Sequence, residues 1–167
     1  MDTALSRKDL EAMLDSAVRE VTETTSGISL CQGGEPPSED FCTVHIAFKK
    51  GFRSSLSLRA DTAMLARMTQ NAIQEETITP QDLEDFAKEY FNVLCGRVSA
   101  YLYQATKIAS RFSVPVFRWG HFEPEGQTRQ FALNYCDDQR QGAQLVHHVP
   151  QPDQENASAS KTTSGLV

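Results

Sequence analysis

The stretch Thr79-Pro80-Gln81-Asp82 constrains this chain more than any other. A residue able to cap stands before a proline at the first helical position, and an amide and an acid fill the first turn, which together mark a helix start. The helix opened there runs to about Lys107, long for a globular domain. At about 100° per residue, Leu83, Phe86, Ala87, Tyr90, Leu94, Val98, Tyr101, Leu102 and Ala105 fall on one broad face, wide enough to lie on a sheet. The remaining chain must therefore supply that sheet.

It has the patterns to do so. Residues 8–24 place Leu10, Met13, Leu14, Ala17, Val18 and Val21 at helical spacing, with Gly27 where such a helix ends. Strand-like runs follow at 28–33, 41–48 and 53–59; the last two alternate, with Lys49-Lys50-Gly51 as the hairpin turn between them. Asp61 is a candidate N-cap for a short helix over 61–72. Beyond the long helix, strand patterns return at 112–118, 128–136 and 142–149, and Pro115 places the first of these at an edge or a bulge. The expected fold is α+β: two loosely duplicated helix-plus-three-strand units forming one largely antiparallel sheet, with the long helices packed on one face. Residues 1–149 make the domain, and 150–167, poor in large apolar side chains, read as a disordered tail.

Composition narrows the function. With 22 acids against 16 bases the net charge is -6, and no cluster of bases is visible along the chain, which argues against a nucleic-acid role. No apolar run approaches the ~20 residues that cross a bilayer, and the start MDTALSRKDLEAML is charged rather than signal-like, so a cytoplasmic protein away from membranes is expected. Cys31, Cys42, Cys95 and Cys136 are scattered among apolar neighbours as buried, reduced thiols would be. Cys42-x-x-His45 would send its side chains to opposite faces of a strand, so no metal site is expected. His147-His148 read as the surface end of the last strand, and Arg7-Lys8 as solvated charges.

The outer face of the long helix is the informative one. Asp85, Glu89, Asn92 and Gly96 follow at steps of four, three and four, so their directions agree within about 60°, and Ser99 and Tyr103 extend the ridge. Asn is a mediocre helix former, and glycine in a helix interior costs about 1 kcal/mol relative to alanine. Gly96 therefore implies either a close approach by another backbone or a packing demand. The combination [DS]-x-x-x-E-x-x-N-x-x-x-G arises by chance in roughly one in several hundred chains of this length.

At these residues, Asp85-Phe-Ala-Lys-Glu89-Tyr-Phe-Asn92 followed by Val-Leu-Cys-Gly96, the chain resembles the CheC/CheX phosphatases of bacterial chemotaxis, and the order of elements over roughly 5–149 extends the resemblance. Members have one or two such helices. The first helix repeats the spacing as Ser16, Glu20 and Gly27 but has Glu23 where the asparagine would stand, so the chain is most like the single-site CheX members. Gly27 fits either a helix C-cap or the counterpart of Gly96.

The resemblance implies hydrolysis of the aspartyl phosphate of a CheY-like response regulator. Asn92 would hold the attacking water, Glu89 would pair with the regulator's active-site lysine, and Asp85 and Gly96 would contact the partner. The magnesium would be held by the regulator, leaving this chain with no cofactor of its own, and pairing as a homodimer is implied as well. A non-catalytic module that binds or scaffolds a regulator through the same helix is the alternative, and a small-molecule domain finds no Gly-rich phosphate loop.

Overall fold

The computed structural model describes residues 5–151; the expected tail lies outside the described residues apart from Pro150 and Gln151. The elements are α1 (Arg7–Ser26), β1 (Cys31–Gln32), β2 (Phe41–Lys50), β3 (Ser55–Asp61), α2 (Thr62–Ile73), α3 (Pro80–Thr106), β4 (Arg111–Phe112), β5 (Val116–Trp119), β6 (Thr128–Cys136) and β7 (Gly142–Pro150). The strands form one antiparallel sheet of order β1-β6-β7-β3-β2-β4, and β5 also pairs with β2.

This order reveals how the two units are joined. β3 and β7 meet at the centre, and the first strand of each unit is given to the other: β1 pairs with β6, while β4 and β5 pair with β2. The duplication is thus a pseudo-twofold arrangement with exchanged edges, and α1 and α3 are its equivalent helices. The expected strand over 112–118 is two short ones, because Pro115 has no N–H for the ladder and the pairing with β2 shifts register between Phe48 and Lys50.

The three helices of the described residues cover one face. Cys42, Val44, Ile46 and Phe48 of β2, Leu56, Leu58 and Ala60 of β3, and Ala143 and Leu145 of β7 meet Leu14, Ala17, Val18 and Val21 of α1, Met64, Leu65 and Met68 of α2, and the inner side of α3. A hydrogen bond between Thr22 and Tyr90 hydroxyls, 2.6 Å apart, ties α1 to α3 within that core, where burial pushes the tyrosine pKa up to about 12.

Local signals explain the helix ends. Thr79 and Asp82 form a reciprocal capping box, with Asp82 N–H donating to Thr79 Oγ1 at 3.0 Å and Thr79 N–H to Asp82 Oδ2 at 2.9 Å. Gly27 closes α1 at φ 72, its N–H donating to Glu23 O. Gly27 is therefore a C-cap in the left-handed region. Asp61 precedes α2, but its carboxylate makes no cap bond; it accepts from Ser38 N–H and Oγ and from Gly142 N–H, tying a loop to β7.

Four expectations need correction. β2 continues through Lys50, so the turn falls after it, at Gly51, where φ is 82 and an added Cβ would sit 2.5 Å from Ala109 O. The expected strand over 28–33 is only Cys31–Gln32, and Cys31 is exposed while Cys136 is half-buried, because both lie at the β1 edge. Cys42 and Cys95 are buried, and desolvation raises both thiol pKa values. Finally, His147 and His148 are buried, not at the surface, since β7 is an interior strand flanked by β3 and β6.

Those histidines belong to opposite faces. His147 points to the helices, stacked on Phe52 at 5.0 Å between centroids and within 2.9 Å of Arg7 Nη1. On the other face, Ser57 Oγ lies 2.7 Å from His45 Nδ1 and 2.9 Å from His148 Nε2, and Phe122 of the 120–127 segment roofs His45. Burial, reinforced by nearby positive groups, lowers the pKa of His45, His147 and His148 from 6.5 to about 4. In the pH range between those values the unfolded chain binds more protons than the folded one, so stability is lost as pH falls from about 6.5 toward 4. The melting temperature is expected to drop over that interval, with a shallower drop in His45→Gln relative to its own value at pH 7.5; a flat or rising profile in the parent chain contradicts the buried neutral histidines.

Candidate functional site

The rotation of α3 about its axis decides which side chains are available. Ala87, Phe91, Leu94, Cys95 and Val98 are fully buried, and Leu83, Tyr90 and Leu102 nearly so. Of the residues expected on this face, Phe86 and Tyr101 are only half-buried, and Ala105 is exposed. The centre of the buried face lies about half a turn from the direction shared by Asp85, Glu89, Asn92 and Gly96.

The structure accordingly brings all four predicted residues together on the outer ridge. Asp85, Glu89 and Asn92 are exposed and Gly96 is half-buried. They span eleven residue steps, about 16 Å of helix. Asp85 Oδ1 accepts a 2.8 Å hydrogen bond from Gln81 Nε2, which fixes it near the helix start. Glu89 and Asn92 have no hydrogen-bond or ion-pair partner among the described residues. A carboxylate and a carboxamide one turn apart thus stand unengaged on a rigid, capped rod.

Gly96 stands beside open space. Its φ lies outside the left-handed region, and a Cβ placed on it would meet nothing within 4 Å. Neither backbone conformation nor packing among the described residues requires glycine there. What remains is the space kept clear above the helix.

The equivalent side of α1 is differently occupied. Ser16, Glu20 and Glu23 are exposed, but Glu20 Oε1 accepts from Arg97 Nη1 at 2.8 Å and from Tyr101 Oη at 2.5 Å, and Glu23 Oε2 accepts from Ser29 Oγ at 3.2 Å. Both carboxylates that parallel the α3 ridge are thus committed within the chain, and Gly27 ends its helix rather than lying inside it. Val93 and Tyr103, 40% and 49% exposed, flank the ridge with apolar surface. The sequence pattern brought out Tyr103 but not Val93, which helical spacing also places off the buried face.

Among the described residues no group of three His, Cys, Asp or Glu side chains is placed to hold a metal ion, and no helix is long and apolar enough to cross a membrane. The ridge runs along the exposed side of a single helix, a surface that can meet another macromolecule but does not enclose a small molecule.

No protein-family model matches the sequence, and no curated protein matches it. Solved structures do match the fold. The chemotaxis protein CheX from Vibrio vulnificus superimposes with a TM-score of 0.72 at 15% identity, over 87% of this chain and 99% of that one. CheX from Desulfovibrio desulfuricans gives 0.73 at 14% identity, over 83% and 97%. The CheX–CheY–BeF3–Mg complex from Borrelia burgdorferi gives 0.69 at 13%, over 87% and 100%. The fold is that of CheX and CheC-like chemotaxis proteins.

Because Gly96 occupies a helix interior with open space around it, Gly96→Ala is expected to stabilise the chain by up to about 1 kcal/mol. Denaturant unfolding measures this; a destabilised variant would show that the glycine serves the fold.

Proposed function

We propose that this chain is a phosphatase for the aspartyl phosphate of a CheY-like response regulator, acting through Glu89 and Asn92. The observation that carries the reading is the pair itself: two unengaged polar side chains one turn apart on the exposed ridge of α3, in a fold shared with CheX proteins, one of which is solved in complex with CheY, BeF3 and Mg.

The chemistry fits what the pair offers. An acyl phosphate is already activated, so hydrolysis needs a water held in line with phosphorus and no nucleophile from this chain. Water forms the new O–P bond while the bond from phosphorus to the aspartyl oxygen breaks, leaving a free carboxylate and inorganic phosphate. The Asn92 amide oxygen accepts a hydrogen bond from that water without removing its proton or repelling the phosphoryl oxygens. A carboxylate in its place would add like charge, which is why Glu23 gives α1 no equivalent activity. Glu89 pairs with a lysine of the regulator and fixes the angle at which the helix enters. Asp85 and Gly96 line the approach, the glycine letting the partner's backbone come close. The magnesium belongs to the regulator, so this chain supplies charge and position but no metal ligand.

Pairing of two copies through a sheet edge accompanies this reading, since the β4–β5 edge exposes Val114 and Trp119.

Asn92→Ala is expected to abolish acceleration of regulator dephosphorylation while binding the regulator as the parent does, and Glu89→Ala to weaken both affinity and turnover. A titration of rate against phosphorylated regulator separates the two effects. An Asn92→Ala protein that accelerates decay at the parent rate overturns the assignment; binding with no effect of the parent chain on decay, or with slower decay, makes it a non-catalytic regulator-binding module.

A further inference from the structure

Bases that are scattered in the sequence meet at one end of the molecule. The β2–β3 hairpin brings Lys49, Lys50 and Arg53 against the segment after α3, where Phe52 N–H donates to Ser110 Oγ, and Lys50 stands opposite Arg111 in the β2–β4 register. Like charges facing each other across a ladder are unfavourable. Lys49, Lys50, Arg53 and Arg111 have no ion-pair partner among the described residues, a state shared by several bases elsewhere, but here two of them face each other across one ladder. In a chain of net charge -6 this leaves one end with uncompensated positive charge.

A cavity of about 460 Å³ opens at that end, lined by Lys49, Arg53, Ser54, Ser55, Thr128 and His148 among others, with no carboxylate in its lining. The register explains the hollow. Ala47, Ser55 and His148 form one row across β2, β3 and β7, and the two small residues leave a depression beside the imidazole. Phe122 covers His45 further along the same face. Ser54 Oγ is engaged by His147 Nε2 at 2.8 Å, but Ser55 and Thr128 hydroxyls have no side-chain partner among the described residues, and His148 Nδ1 is buried without one. Glu123 is the carboxylate in reach of His148 from the 120–127 segment, held by His121 and Gln130, and Arg59 faces the ring from β3.

We propose that this pocket binds a phosphate group, either inorganic phosphate or a small phosphomonoester. Lys49 and Arg53 supply two positive charges for a dianion, and Ser55 and Thr128 supply hydroxyl donors. The volume suits a small molecule. Since the cavity lies toward the face away from α3, the assignment is independent of the proposed phosphatase chemistry.

Inorganic phosphate, glycerol 1-phosphate and acetate, each titrated into the isotope-labelled full chain at pH 7.5 and constant ionic strength, test the assignment by amide chemical shifts. Saturable shifts at Ser54, Ser55, Thr128 and His148 are expected with one or both phosphates, weakened about tenfold or more by Arg53→Gln or Lys49→Gln and unchanged by Lys88→Gln on α3. Whichever phosphate binds more tightly identifies the ligand as free or esterified. Absence of saturable shifts, acetate binding as tight as phosphate, or equal weakening by Lys88→Gln overturns the proposal.

Discussion

Burial of the inner face of α3 against the sheet is the constraint from which the candidate site follows. A helix capped at Thr79 and seated by Ala87, Phe91, Leu94 and Val98 cannot turn about its axis without exposing those side chains. Each fully buried leucine, valine or phenylalanine contributes on the order of 1.5–3 kcal/mol, so the rotational setting is strongly held. Asp85, Glu89 and Asn92 are outward because their neighbours are inward. Precision at the ridge is thus inherited from the core, and its side chains are carried on a rod rather than on a loop.

The pseudo-twofold arrangement gives the molecule two equivalent helices but not two equivalent surfaces. On α1, Glu20 is drawn to Arg97 and Tyr101, Glu23 to Ser29, and the glycine has become a terminus. On α3, the corresponding acid and amide have no partner among the described residues. The asymmetry is electrostatic as well. Asp82, Glu84, Asp85 and Glu89 crowd the first part of α3, where negative charge suits the helix dipole, while bases gather beyond its far end.

Much of this was legible in the residues because its causes are local. The start of α3, the end of α1 at Gly27, and the alternation in β2 and β3 each depend on a few neighbours, and the outward ridge needs only helical periodicity once the apolar face is known. What was not legible depends on partners distant along the chain. The exchange of edge strands is invisible to periodicity, and so is the interior place of β7, which turns a His-His pair resembling a wet strand end into two buried rings on opposite faces. Cys31 looks like a core thiol until its two-residue strand is found at the edge. The bases of the hairpin and of the segment after α3 are some sixty residues apart, and the β2–β4 pairing, with the close approach at Gly51, brings them together.

The most direct measurement is the lifetime of the phosphoryl group on a CheY-like regulator when the chain is present in substoichiometric amount. Decay that quickens in proportion to the chain's concentration, with inorganic phosphate released over many turnovers, is the result that a carboxamide presented to a partner's active site predicts. A lifetime that stays the same or lengthens, with every candidate regulator, would contradict it.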